Sequence, residues 1–389
     1  MRNQHLCLGA IRTVVVFWFL LIQVKPNMKK HLFGFVPKAA FLVLTALAAS
    51  YSARAQLMVV GDGYTAVPYY THTTSDNIVS YDWDANANLY YMTSTGFPDI
   101  NMWKTNGGSP VNIYANPNNF AGASVVDIGN FVYFNDSDFS NNQNIHAYGP
   151  LTGTPSQAIV STTANYGLYN HGGDLFLTGA VGSGSNQIFY SHLAANGTLV
   201  SSPAISLGTT GGGSGPLAFD AAGDLYFAPG FGDSNIYKWS GVELANAIAN
   251  PSLDPLSTAG HVWVNYGGLF PTVSGATSML VDPSGNLLVT LTDFTNPSDL
   301  VSFGANSNGD YSGIESTILT DTGLLGELRE HDGGTYVSAN NEIVQVIPEP
   351  AALSMAMGGI VLWLLPRRRR PARQKRINEW PEFPEKSET

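Results

Sequence analysis

The amino-acid sequence predicts an all-β protein built as a six-bladed β-propeller, with a signal peptide before it and a single transmembrane sorting helix after it. Three observations over residues 56–346 predict the propeller: a turn-and-strand unit repeats six times, a second strand follows each unit, and no helical period stands out. Four short strands repeated about every 40 to 50 residues are typical of propellers.

The repeating unit is a polar turn followed by an aromatic or β-branched strand. Glycine, asparagine and aspartate suit the turn because they tolerate positive φ, and the residues that follow suit a buried strand. The six units are DANANLYYMT from Asp84, DIGNFVYFND from Asp127, HGGDLFLTGA from His171, AAGDLYFAPG from Ala221, PSGNLLVTLT from Pro283 and HDGGTYVSAN from His331. Six units predict six blades.

A partner strand follows each unit after roughly ten residues, as the second arm of a hairpin would. The apolar anchors of these strands are Met102, Ile145, Ile188, Ile236, Leu300 and Ile343, spaced 43, 43, 48, 64 and 43 residues apart. The last repeat lacks an outer strand. We expect Leu57–Gly61 to supply it and close the ring, because an open ring would leave two exposed sheet edges.

The N-terminal region predicts export. Residues 28–55 have a basic start, an apolar stretch and small residues at Ala53 and Ala55, which indicates a signal peptide cleaved before Gln56. Its expected partners are the Sec translocon and signal peptidase. Residues 1–27 are interpreted as a leader from a misassigned start codon, with a membrane anchor as the alternative.

Charge and cysteine content exclude several functions. Between Gln56 and Val346 there are 24 acidic residues and three basic ones. Such a surface repels phosphate backbones, so nucleic-acid binding is not expected, whereas calcium is a candidate cofactor. The single cysteine, Cys7, lies in the leader, so the exported domain has no disulfide and no thiolate chemistry.

The C-terminal segment over residues 347–370 combines a Pro-Glu-Pro motif, a 15-residue apolar run and an arginine cluster. A 15-residue helix is about 22 Å long and crosses a bilayer core of about 30 Å only marginally. The arginines are expected to stay cytoplasmic. The motif residues are Pro348, Glu349, Pro350, Arg367, Arg368, Arg369 and Arg370.

This order resembles the PEP-CTERM sorting signal of Gram-negative bacteria. The resemblance implies recognition by exosortase, a membrane cysteine protease-transpeptidase, and cleavage near Pro348 to Pro350. The protein would be anchored transiently in the inner membrane and then reach the cell surface or the extracellular space, often alongside exopolysaccharide. The polar extension over residues 371–389, expected to be cytoplasmic, departs from the usual pattern.

A second resemblance concerns the propeller. DPSGNLLVT, from Asp282 to Thr290, resembles the Asp-Pro-x-Gly-Asn turn of the NHL and gluconolactonase-like propellers. It covers the repeat period and this turn, and therefore supports the fold. Gluconolactonase-like propellers hold a divalent ion in the central channel, but the ligands of that ion do not map onto this sequence residue by residue.

Two candidate ligand sites follow from loop composition. Asp136 and Asp138 in NDSDFSNNQN have the spacing of hard-cation ligands, with turn formation as the alternative. Tyr69, Tyr70, Trp263 and Tyr266 lie in two aromatic-rich connections and could stack on the sugar rings of an exopolysaccharide. Packing beneath long loops is the alternative for these four.

Catalytic motifs are missing from the sequence: it contains no HExxH, no GxSxG and no phosphate-binding loop. We therefore expect a non-enzymatic binding or structural module of the cell surface. The alternative is a metal-dependent propeller enzyme of lactonase or lyase type.

Overall fold

The computed structural model describes residues 58–95, 99–117, 124–137, 143–149, 156–160, 167–180, 185–200, 204–293 and 297–349. These residues form 26 strands and one helix. In chain order they are β1 (Val59–Val60), β2 (Tyr64–Thr71), β3 (Asn77–Trp83), β4 (Leu89–Ser94), β5 (Ile100–Thr105), β6 (Val111–Asn116), β7 (Val125–Ile128), β8 (Phe131–Ser137), β9 (Gln143–Tyr148), β10 (Ser156–Val160), β11 (Gly167–His171), β12 (Asp174–Ala180), β13 (Asn186–Ser191), β14 (Ile205–Thr209), β15 (Leu217–Phe219), β16 (Leu225–Phe227), β17 (Asn235–Trp239), α1 (Gly241–Ala249), β18 (Leu256–Ser257), β19 (Val262–Asn265), β20 (Gly275–Val281), β21 (Leu287–Thr292), β22 (Ser298–Ala305), β23 (Tyr311–Asp321), β24 (Leu325–His331), β25 (Gly334–Ala339) and β26 (Glu342–Pro348).

The strands form six sheets, which confirms the six-bladed propeller. From the inner strand outward, blade one is β3-β4-β5-β6, blade two β7-β8-β9-β10 and blade three β11-β12-β13-β14-β18. Blade four is β15-β16-β17-β19, blade five β20-β21-β22-β23-β1 and blade six β24-β25-β26-β2. Neighbouring strands are antiparallel apart from the short parallel pair of β14 and β18.

The N-terminal part of the chain closes the ring, but through a later segment than the sequence suggested. The prediction that Leu57–Gly61 completes blade six is wrong, because Val59–Val60 pairs with β23 of blade five. The outer strand of blade six is β2, which pairs with β26 from Tyr64 to Thr71. An eight-residue strand saturates far more of the open edge than a two-residue strand can.

Six hydrophobic clusters hold the ring together, and each joins two neighbouring blades. Between blades four and five, for example, Tyr226 and Val264 pack with Val289 and Phe303. Between blades six and one, buried aromatic residues dominate. Since every interface around the circle has such a cluster, the core is a continuous ring of packed sheet faces.

Three of the predicted turns between first and second strands are held by aspartate side chains. The Oδ1 atom of Asp282 accepts backbone N–H groups from Ser284 and Asn286, at 2.9 and 2.8 Å. Asp84 and Asp220 make the same two contacts within their own turns. These aspartates therefore act as turn formers, since such bonds replace backbone pairing where the chain reverses.

The helix α1 is a feature that the sequence reasoning missed. It starts at a capping box: the Ser240 hydroxyl accepts the Glu243 N–H, and the Glu243 side chain accepts the Ser240 N–H. Leu244 and Ala247 are its buried residues and pack on the core between blades three and four. The 64-residue spacing thus contains a short helix before the outer strand of blade four.

Candidate functional site

A cavity of about 130 Å³ lies where the inner strands begin, at one end of the central channel. We call this the channel-mouth cavity. Its polar lining is mostly uncharged and comes from five blades. The lining residues are Asn77, Ile78, Val79, Ser124, Gly167, Tyr169, Thr277, Leu324, Gly326, Glu327 and Asn340.

The charged member of this lining is Glu327 on β24, which is 9 % exposed. Its carboxylate bridges two other blades. The Ser80 hydroxyl of blade one donates to Oε2 at 3.1 Å, and the Ser278 hydroxyl of blade five donates to Oε1 at 3.1 Å. Blade six thus places a buried carboxylate between hydroxyl donors from both of its neighbours.

The two serine hydroxyls are fixed by the backbone of the following blade. The Ser80 hydroxyl accepts the Val125 N–H at 2.9 Å, and the Ser278 hydroxyl accepts the Leu328 N–H at 2.9 Å. Because each hydroxyl accepts from a backbone N–H, its own proton is directed at Glu327. The carboxylate is therefore held by preorganised donors.

Arg329 lies two residues further along the same inner strand. Its Nε donates to the carbonyl oxygen of Tyr81 at 3.1 Å, and its Nη2 donates to that of Val125 at 2.6 Å. Nη2 also lies 3.5 Å from Oε1 of Glu327, and Nε lies 3.9 Å from Oδ2 of Asp82. The guanidinium thereby links blades six, one and two below the cavity.

Burial controls the electrostatics of this channel. Burial raises the pKa of Glu327 above its ordinary value, although Arg329 and the two serines act in the opposite direction. Burial, together with Asp82 and Asp84, raises the pKa of Asp127 to about 7. Burial alone would lower the pKa of Arg329, but Glu327 and Asp82 reverse this effect and raise it.

A divalent cation does not fit the channel-mouth cavity well. Glu327 is the carboxylate in its lining, and the Arg329 guanidinium already compensates it. Hard cations such as calcium prefer several carboxylate and carbonyl oxygens. Among the residues that the structure describes, no group of three or more histidine, cysteine, aspartate or glutamate side chains could hold a metal ion.

One of the two predicted cation ligands, Asp136, lies on β8 of blade two. Asp136 is 2 % exposed, and its carboxylate accepts hydrogen bonds from Tyr114 and from Asn116, the latter at 2.7 Å. His146 Nε2 is 3.7 Å from the same carboxylate. Asp138 is outside the described residues, so a site formed by both aspartates stays a prediction.

Two of the predicted aromatic ligands, Tyr69 and Tyr70, lie on β2, which we call the closing strand because it completes blade six. Tyr69 is 46 % exposed and meets Trp83 and Tyr336 edge to face, with centroid distances of 5.7 and 5.0 Å. Tyr70 is half-buried, and its hydroxyl forms a 2.7 Å hydrogen bond with that of Tyr91. Both tyrosines help to seal the junction of blades six and one.

The other two predicted aromatic residues lie at blade four. Trp263 is half-buried, and its indole N–H donates to the Gly309 carbonyl oxygen at 3.0 Å. Tyr266 is fully buried, and its hydroxyl donates to the Asp233 carbonyl oxygen at 3.3 Å. The structure therefore does not bring the four aromatics together on one surface.

The structure describes only part of the predicted processing signals. Pro348 ends β26 and Glu349 follows it with an exposed side chain, so the last strand passes the predicted boundary at Val346. The other sorting and cleavage residues lie outside the described residues; they are Ala53, Ala55, Gln56, Pro350, Arg367, Arg368, Arg369 and Arg370. Among the residues described, no helix is long and apolar enough to cross a membrane.

Comparison with known proteins finds similar solved structures at low sequence identity. No protein-family model and no curated protein matches the chain. Among solved structures, the calcium structure of a Trichoderma reesei carbohydrate-active enzyme of family AA12 is 14 % identical, with a TM-score of 0.49, covering 75 % of this chain and 97 % of that one. The PQQ-bound aldose sugar dehydrogenase of Streptomyces coelicolor is 10 % identical, with a TM-score of 0.49, covering 74 % and 99 %. The calcium-binding protein regucalcin of Agrobacterium tumefaciens is 10 % identical, with a TM-score of 0.44, covering 71 % and 94 %.

These similarities correct one expectation. The prediction that the protein is not an enzyme is wrong as an exclusion, because solved structures with a similar fold include a carbohydrate-active enzyme and a sugar dehydrogenase. The missing sequence motifs belong to other folds and could not exclude catalysis on a propeller. At 10 to 14 % identity, the similarity concerns the fold and assigns no activity to this chain.

Sequence reasoning missed Glu327 and Arg329. A signal for them was present, since Arg329 is the one arginine between Gln56 and Val346. Glu327 and Arg329 are two residues apart on one strand, which places them on the same side. A lone arginine beside a glutamate on an inner strand is a pattern that could have identified these two residues. We call Glu327 and Arg329 the channel pair.

Proposed function

We propose that this protein is exported, sorted to the cell surface, and there binds a small hydroxyl-rich ligand, such as the end unit of an exopolysaccharide, in the channel-mouth cavity. The observation that carries the proposal is the buried Glu327 carboxylate, which two serine hydroxyls hold, in a residue that lines a cavity of mostly neutral polar groups. Ligand sites commonly combine a concave surface with a few oriented polar groups.

The lining favours a neutral, hydroxyl-rich ligand. The amide side chains of Asn77 and Asn340 bring donors and acceptors to the cavity, whereas the Ser124 and Thr277 hydroxyls donate to the Leu168 and Leu325 carbonyl oxygens. Glu327 could accept a further hydrogen bond from a sugar hydroxyl, since carboxylates accept several. A strongly charged ligand is less suitable because the Glu327 charge is already balanced by Arg329.

Size favours the end of a chain over its middle. The channel-mouth cavity of about 130 Å³ is smaller than a cavity of about 150 Å³ that binds benzene, so it would hold only part of a sugar ring, with the rest outside. Arg329 lies two residues further along β24 and donates to the backbone of blades one and two, so we expect a ligand to enter from the end where the inner strands begin. A terminal sugar fits this geometry better than an internal unit of a polymer.

The direction in which β26 runs supports a role at the cell surface. Asn340 lies at the cavity, in the turn before β26, and the chain then runs along that strand to Glu349. At about 3.3 Å per residue, the seven residues of β26 span roughly 23 Å. A tail anchored in a membrane would leave from the face opposite the cavity, which would then face outward.

The two terminal signals support the proposed route. The signal peptide over residues 28–55 would direct export through the Sec translocon, and signal peptidase would cut before Gln56. The segment over residues 347–370 would anchor the protein transiently in the inner membrane. Exosortase would then process it and release it to the surface or the extracellular space.

Calorimetric titration with a panel of monosaccharides, oligosaccharides and host exopolysaccharide tests the binding site. We expect at least one saccharide to bind, and Glu327→Gln to weaken that binding by about tenfold or more, as the loss of a charged hydrogen-bond acceptor predicts. Glu330→Gln is the matched control, because it removes an exposed carboxylate from the same strand. No binding to any saccharide, or equal binding by Glu327→Gln, would refute the site.

The same titrations should be followed for product formation. A carboxyl group whose pKa is raised within a ligand site is what general acid catalysis requires. Glu327 meets this description through its burial. Turnover by the wild type but not by Glu327→Gln would extend the proposal from binding to catalysis.

A further inference from the structure

The end of β26 is held by the closing strand. Ile347 pairs with Thr65 and Pro348 pairs with Tyr64. The Glu349 N–H then donates to the Gly63 carbonyl oxygen at 2.7 Å. The first two residues of the Pro-Glu-Pro motif are therefore part of the folded blade.

The closing strand is the main neighbour of this segment. On its other side, β26 pairs with β25, but that pairing ends where Val346 meets Thr335. Beyond this point the described backbone pairing of residues 347–349 is with β2 and the turn before it. The Thr65 hydroxyl adds a contact of 3.4 Å to the Glu349 carboxylate.

This pairing restricts proteolysis. Enzymes that recognise a peptide as an extended strand form hydrogen bonds with its main chain. Main-chain groups already engaged in a sheet are not free to do so until the strand separates. A protease acting on the folded protein therefore meets a backbone that is paired on both sides up to Val346 and on one side up to Glu349.

We propose that the C-terminal tail is removed by cleavage on the C-terminal side of Glu349. Pairing with β2 protects the peptide bonds before this position, and in this sense we call β2 the guard. The inference rests on the proposed sorting function. In the reaction, the scissile carbonyl carbon loses its bond to the nitrogen of the tail and gains one to water, or to an acceptor amine in a transfer. The tail leaves with a free amino group, and the propeller keeps a complete β26.

Intact mass spectrometry of the mature protein from its host tests the position. The expected C-terminus is Glu349 or a residue after it. A C-terminus at Pro348 or earlier would overturn this inference while leaving the sorting proposal in place. A chain that keeps residues 350–389 intact would overturn both.

A second experiment isolates the guarding effect from the host enzyme. The purified chain that still carries residues 350–389 is treated in detergent with proteinase K, which cuts after aliphatic residues, and the products are mapped by mass. We expect cuts after Ala351 or Ala352 and none after Val346. A cut after Val346 in the folded wild type would overturn the inference.

A matched pair of variants identifies β2 as the guard. Gly63 has φ of 82° and Gly107 has φ of 90°, and a Cβ added at either position would have no heavy atom within 4 Å beyond its chain neighbours. Proline cannot adopt either conformation, so Gly63→Pro should displace the start of β2 and expose Val346 to proteinase K. Gly107→Pro imposes similar strain in blade one and should leave Val346 protected. Equal protection in both variants would show that β2 is not the guard.

Discussion

Replacing Arg329 by methionine should test whether the channel pair holds the ring together. The change removes the donors to the carbonyl oxygens of Tyr81 and Val125. It also leaves the buried Glu327 carboxylate without its cation. Methionine is similar in length and apolar, so the loss concerns the hydrogen bonds and the charge more than the volume.

The expected cost follows from burial. The side chains of Arg329 and Glu327 are 17 % and 11 % exposed, so the pair is close to the buried limit. Breaking such a pair costs about 3–5 kcal/mol, because one charge remains uncompensated. The propeller has about 290 residues, and an unfolding entropy of about 2.1 cal/mol/K per residue then converts this cost into a Tm decrease of about 5–8 °C.

Thermal and urea unfolding of the purified propeller would measure this cost. Glu327→Gln combined with Arg329→Met should recover at least about 1 kcal/mol relative to the sum of the single changes, since contacting residues are coupled. A single-variant cost below about 1 kcal/mol, or additive effects of the two changes, would refute the argument that these charges depend on each other.

Three further outcomes are expected. Removing Tyr64–Thr71 should lower Tm far more than removing Val59–Val60. Val59–Val60 forms two residue pairs with β23, and its removal should lower Tm by about 2 °C or less in scanning calorimetry. Gly275→Ala should destabilise by about 2–4 kcal/mol, because a Cβ there would lie 1.7 Å from the Gly230 carbonyl oxygen. In contrast, Gly108→Ala should change urea stability by about 0.5 kcal/mol or less. The pKa of Asp127 is raised to about 7, so the folded state binds its proton more tightly than the unfolded state, and this group loses stability as pH rises from about 4 to 7. The Tm gain of Asp127→Asn over the wild type should therefore be near zero at pH 4 and positive at pH 8; a gain independent of pH would contradict this reasoning.

The blades were predictable because each repeat carries its own local signals. The turn at Asp282 and the strand that follows it could be located from residue types alone. These assignments depend on turn chemistry and strand propensity, which act over a few residues. The number of blades then followed from counting.

The closing strand was harder to locate because its local signals conflict. The Val59–Val60 segment is strongly apolar, whereas Tyr64–Thr71 contains Pro68, which argues against a central strand. The proline is accommodated because β2 is an edge strand with a register shift between Pro68 and Tyr70. Which segment closes the ring depends on how well it pairs along the whole open edge of β26. A short stretch of sequence does not predict that pairing.

Closing the ring of blades also forms the proposed ligand site. Glu327 and Arg329 belong to blade six, which is assembled from both ends of the propeller chain. Ser80 and Ser278 reach Glu327 from blades one and five only when blade six lies between them. A chain exported unfolded would therefore have no binding site until blade six lies between blades five and one. The pairing that protects residues 347–349 also completes the blade that carries Glu327, so a protein cleaved beyond Glu349 would keep the site intact after its tail is removed.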